Sequence, residues 1–142
     1  MSNWREFMKS LGKYAVPLGR ICFSLIFILS SYNPFAKGAI GYAASQGVPM
    51  ANILVPIASL LALIGGLSVL LGYKTKAGAW MIVLFLIPVT FTMHAFWKVT
   101  DPGMRQIQQI MFLKNIAMLG GALMLTYFGS GPCSLGSCEK KS

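Results

Sequence analysis

Residues 51–71 read ANILVPIASLLALIGGLSVLL, twenty-one positions without one charged side chain. The charge-free run is longer still: no Asp, Glu, Lys or Arg occurs between Lys37 and Lys74, and none between Lys76 and Lys98. About 20 apolar residues at ~1.5 Å rise cover the ~30 Å hydrocarbon core of a bilayer. Each run is therefore long enough to span a membrane as a helix, which satisfies its own backbone where no water can.

The rest of the 142-residue chain follows that pattern. Hydrophobic residues make up 56% and charged residues 11%, with 12 basic and 3 acidic side chains and a net charge of +9. This is the composition of a membrane domain, without room for a sizeable aqueous one. Four spans are expected, at about 16–35, 51–71, 77–96 and 107–128, followed by a tail at 129–142, all in one domain covering 1–142. The fold class is all-α, a four-helix transmembrane bundle. Gly65-Gly66 and Gly120-Gly121 allow close helix approach. Their matching flanks, Ala62-Leu63-Ile64 and Ala117-Met118-Leu119, suggest two hairpins in tandem. Pro56 and Pro88 would kink the second and third spans or free a carbonyl.

Ahead of the first span, Trp4, Phe7, Met8, Leu11 and Ala15 recur at helical spacing, with Arg5, Lys9 and Lys13 off that stripe. Such a segment reads as an N-terminal amphipathic helix lying in the interface on anionic lipid. Basic residues before an apolar run also suit a signal peptide, but the first span is expected to be retained. Arg5, Lys9, Lys13, Lys74, Lys76, Lys140 and Lys141 gather on one side, against Lys37, Lys98 and Arg105 on the other. The bias places both termini in the cytoplasm of a multi-pass protein of the bacterial inner membrane. It also assigns the positive charge to topology and lipid rather than to nucleic acid.

The acidic residues are Glu6, Asp101 and Glu139, and none lies within a span, whereas Arg20 and Lys114 do. An intramembrane cation is costly, so it snorkels, pairs or serves a site. Arg20 has two readings: contact with lipid phosphate, or an inter-helix clamp on free carbonyls near 129–131 or on a bound anion. Lys114 and Asn115 could meet His94 and Trp97 across a helix interface, with Phe91, Phe96 and Phe112 stacking on a flat ring. That pocket would suit a quinone, whose carbonyls need donors and whose reduction needs protons. The plainer reading is an interfacial belt of His94 and Trp97, with Lys114 snorkelling along its own stem. Cys133 and Cys138 form a C-x4-C pair that could act as a redox couple, while Cys22 reads as buried packing. One His and three Cys make a dedicated metal site unexpected. There is no phosphate loop, hydrolase elbow or pair of carboxylates.

In order and spacing the chain resembles the DoxX family of small four-helix bacterial membrane proteins. The resemblance is carried by Gly19-Arg20, the outer loop Tyr42 to Pro49, and Gly65-Gly66-Leu67 with Leu71-Gly72-Tyr73. It continues through His94-Ala95-Phe96-Trp97, Phe112-Leu113-Lys114-Asn115, Leu119-Gly120-Gly121, and Gly129 to Pro132 with Ser134-Leu135. It implies a redox-associated membrane protein related to the small subunit of thiosulfate:quinone oxidoreductase. Such a protein would contact quinone and act with a soluble sulfurtransferase or oxidative-stress partner. Arg20, His94, Lys114 and Asn115 are then the residues to suspect. Many members carry a glutamate just before the glycine pair of the second span, where this chain has Ala62. The tail Ser-Leu is often followed by Asp, here by Gly136. Losing the glutamate removes a proton acceptor and a partner for a membrane cation. Two other readings stand beside this one: a lipid or small-anion binding or transport protein, and a scaffold without catalysis. Oligomeric state is left open.

Overall fold

The computed structural model describes residues 2–136 and is helical throughout its spans. Helix α1 covers Ser2–Ser31, α2 Lys37–Ser45, α3 Ala51–Leu71, α4 Thr75–Met93 and α5 Pro102–Phe128, with a 3-10 turn at Phe96–Lys98. Four segments are long and apolar enough to cross a membrane: Asn3–Ser31, Ala51–Leu71, Thr75–Lys98 and Pro102–Phe128. The protein is an all-α, multi-pass membrane bundle.

Punctuation follows local chemistry. Gly72 ends α3 in left-handed backbone at φ 66, a conformation open to glycine without cost. Asp101 begins α5 by accepting from the Met104 N–H at 2.8 Å, with Pro102 in the first turn, where its missing N–H is no loss. Two features differ from the sequence expectation. The amphipathic segment and the first span are one helix, α1, continuous through Pro17. The connection between the first two spans folds into α2, which packs on α3.

Helix α1 packs on α3, α3 on α4, and α4 on α5. The core is Phe27 from α1, Ala62 and Val69 from α3, Ile82, Val83 and Leu86 from α4, and Ala122 from α5. Backbone approach fixes the α3–α4 contact. A Cβ on Gly65 would stand 2.8 Å from the Gly78 carbonyl and 2.9 Å from Ile82 Cγ1. On α3, Gly66 turns to α1 and meets Phe27 and Ile28, while Gly121 of α5 meets Phe23 of α1. The two glycine pairs are thus not equivalent, because a Cβ on Gly120 would meet no atom of another helix within 4 Å among the described residues. Cys22 lies exposed on α1, not packed in the core as its place in the span suggests.

Candidate functional site

The bundle has two poles of distinct character. One carries the start of α1, the α3–α4 turn and the tail; the other carries α2 and the 3-10 turn.

At the α2 pole, α2, α3 and α4 enclose an open cavity of about 560 Å³. Ala43, Pro49, Leu54 and Ala58 form one side, Leu84 and Phe85 the other. The surface is overwhelmingly apolar, and Lys98 stands among the lining residues as its cation. The size falls within the ~300–1,000 Å³ typical of small-molecule sites. Small side chains at Ala39 and Ala43, one helical turn apart, keep α2 from filling the space. Pro88 also lines it; having no N–H, it leaves the carbonyl of Leu84 without its intrahelical donor. Thr92 Oγ1 donates back to the Pro88 carbonyl at 2.7 Å, securing the next turn of α4.

A hydrogen-bond chain latches α2 in place. Tyr42 Oη donates to the Met93 carbonyl at 3.2 Å and accepts from Gln108 Nε2 at 3.1 Å. Gln108 Oε1 lies 2.8 Å from His94 Nδ1. With the amide so oriented, His94 donates from Nδ1 to Gln108 Oε1. The latch therefore joins α2, the end of α4 and α5. Beside it, Phe112 of α5 sits edge-on to Phe91, Phe96 and Trp97, at centroid separations of 5.6, 5.5 and 5.8 Å. Such edge-to-face pairs add about 0.5–1.5 kcal/mol each beyond their burial. They tie the 3-10 turn down onto α5.

The residues singled out from the sequence separate into three groups. His94 and Trp97 do meet α5, through Gln108 and Phe112. Lys114 does not join them: it is exposed, and its Nζ lies 3.4 Å from Met111 Sδ on its own helix. Asn115, one residue on, is 4% exposed and faces inward. Lys114 Nζ thus lies against its own helix in this structure, and the cavity is a separate feature between α2, α3 and α4. Sequence reasoning passed over its lining because Ala43, Pro49 and Ala58 carry no reactive group. The available signals were the Ala39/Ala43 spacing and the Gly47-Val48-Pro49 bend.

Arg20 belongs to the other pole. It is 5% exposed, and its guanidinium donates to the Ser130 carbonyl at 3.1 Å and to that of Cys133. These acceptors are backbone carbonyls of the tail. Gly72 makes room for it, since a Cβ there would collide with Arg20 Nη1 and with Ser134. The Gly136 N–H donates to the Gly72 carbonyl at 3.0 Å, so the tail is strapped across the bundle end. Cys133 is exposed at φ 53, while Cys138 lies outside the described residues. Among the described residues no three His, Cys, Asp or Glu side chains come together as metal ligands.

Comparison with known proteins corrects the family. The SURF4 family model matches residues 10–142, and the chain belongs to that family. The DoxX resemblance is thereby overturned. The motifs that carried it are packing features of a close-contact bundle: Gly65 and Gly66 bring helices together, and Gly72 admits Arg20. The chain is 28% identical to inner membrane protein YqjF of Escherichia coli over 130 residues, 90% of this chain and 94% of that protein. It is 28% identical to E. coli inner membrane protein YphA over 120 residues, 83% and 85% of the two chains. It also matches ER-derived vesicles protein ERV29 of Saccharomyces cerevisiae, at 27% over 123 residues, which is 83% of this chain and 39% of the yeast protein. No solved structure matches significantly.

Proposed function

We propose that this chain is an inner-membrane protein that binds an anionic amphiphile, its acyl chain in the cavity between α2, α3 and α4 and its head group beside Lys98. The observation that carries this reading is the cavity itself: apolar walls, a single cation among its lining, and a position at the end of the spans. An acyl chain gains little merely by leaving lipid for an apolar cavity, so selectivity has to come from the head group. Lys98 supplies that preference through a charge-assisted contact. The inner-membrane names of the two E. coli relatives support the location. The Lys and Arg bias supports cytoplasmic termini, which sets the cavity at the level of the outer leaflet.

Helix α2 acts as the wall that admits or holds the ligand. It is bounded by Asn33-Pro34 on one side and the Gly47 to Pro49 bend on the other. The Tyr42–Gln108–His94 chain holds it shut. A wall latched by three hydrogen bonds can open and close without disturbing the α3–α4 core.

A second reading keeps a quinone as occupant, because Phe91 lines the cavity and belongs to the aromatic cluster with Phe112. It would also require the soluble redox partner expected from the sequence. One experiment separates the readings: native mass spectrometry of the protein in mild detergent, titrated with phosphatidylglycerol, phosphatidylcholine or ubiquinone. Preferential retention of phosphatidylglycerol, weakened several-fold in Lys98→Gln, supports the lipid reading. Preferential retention of ubiquinone turns the site toward redox chemistry. No preference among the three refutes ligand binding and leaves a scaffold.

A further inference from the structure

At the tail pole, α4 starts without a cap. Its N-cap residue Lys74 adopts left-handed backbone at φ 47, and no side chain bonds the first turn. The N–H groups of Thr75, Lys76 and Ala77 lack intrahelical acceptors and form the positive end of a 19-residue helix. Thr75 adds an independent sign of a missing ligand. It is 4% exposed, and its Oγ1 has no hydrogen-bond partner among the described residues. Buried hydroxyls are nearly always paired, and none of the described residues supplies this one with an acceptor.

Thr75 lines a cavity of about 620 Å³ between the start of α4 and the Gly129-Ser130-Gly131 bend. Lys74 and Lys76 line it too. Gly129, at φ 74, lies beside the Lys76 stem: a Cβ there would be in ordinary contact with Lys76 Cε at 3.4 Å. Among the described residues no carboxylate balances these cations. Of the described acidic residues, Glu6 pairs with Lys9 at 3.2 Å and Asp101 caps α5.

We propose that this pole binds a phosphate monoester. The phosphate oxygens accept from the first N–H groups of α4 and from Thr75 Oγ1, while Lys74 and Lys76 balance the charge. A helix N-terminus with a hydroxyl and a lysine beside it is suited to an anion carrying several acceptor oxygens. The chemistry is shared by a lipid head group such as phosphatidic acid and by soluble phosphate. The site is at the opposite end of the bundle from the α2 cavity, and the proposal does not depend on what occupies that cavity.

The test uses the full chain and two probes. Inorganic phosphate is titrated into detergent-solubilised protein, with thermal unfolding as readout. In parallel, unfolding is followed in phosphatidylcholine nanodiscs with and without phosphatidic acid. Stabilisation by inorganic phosphate assigns the site to a soluble ligand; stabilisation by phosphatidic acid alone assigns it to a lipid head group. Thr75→Val should lower apparent affinity for the active probe tenfold or more while the ligand-free melting point holds. Lys74→Gln with Lys76→Gln should abolish the response, and Lys9→Gln with Lys13→Gln should leave it intact. Absence of stabilisation by either probe overturns the proposal. So does a Thr75→Val protein that responds as the wild type does.

Discussion

Replacing Gly65 by alanine tests the contact on which the bundle is built. The new Cβ would sit 2.8 Å from the Gly78 carbonyl oxygen and 2.9 Å from Ile82 Cγ1. Ile82 can turn aside, but the carbonyl is fixed within α4, so α3 and α4 must separate by several tenths of an ångström. Overpacking of this kind costs about 1–3 kcal/mol. Alanine's better helix propensity returns about 1 kcal/mol. With backbone as the nearest obstacle the upper range applies, and the net loss is about 1–2 kcal/mol. Gly120 is the internal control: with nothing within 4 Å, Gly120→Ala keeps only the propensity gain, about 0.5–1 kcal/mol. The two single-methyl changes should therefore differ by about 2 kcal/mol, or on the order of 5–10 °C in Tm. Thermal unfolding in one mild detergent, followed by circular dichroism, measures both. Equal melting points would refute the close approach of α3 and α4.

Tyr42→Phe removes a hydroxyl that makes two hydrogen bonds, each worth about 1 kcal/mol, and should speed amide exchange in α2 while α3 and α4 stay protected. Unchanged exchange in residues 37–45 would mean that the latch does not hold the helix. Arg20→Met removes both donors to the tail carbonyls, so exchange should rise at 129–136; a tail that stays protected would contradict the strap. Lys114→Leu removes a charge from an exposed position on a spanning helix, and should leave ligand binding unchanged with stability equal or higher. Loss of the bound ligand would return Lys114 to the site.

The four spans were legible because charge-free runs of bilayer length have few alternatives in an aqueous or lipid setting. The faces of those spans were not. In lipid, outward side chains are as apolar as inward ones, so the sequence does not say that Lys114 turns out while Asn115 turns in. Cys22 was misread for the same reason. Helix α2 escaped notice because its nine residues, rich in Ala and Gly, show no sustained amphipathic period. The step from the Ala15 stripe to the span at 16 reads as a boundary, yet the structure keeps one helix through Pro17. The Arg20 clamp was foreseeable as an alternative, since a buried guanidinium without a carboxylate has only carbonyls to bond. The family resemblance failed through its evidence: glycine pairs and Gly-Tyr turns report close helix packing, which other small bundles also need.

Photo-crosslinking tests the central claim most directly. The protein is reconstituted with trace phosphatidylglycerol bearing a diazirine near the middle of one acyl chain, irradiated and digested. The account predicts adducts concentrated on Leu54–Leu61 and Leu84–Met93, and their loss when Ala58→Trp fills the cavity. Labelling spread evenly over exposed positions such as Leu113, Leu123 and Ile110, and unaffected by Ala58→Trp, would contradict it.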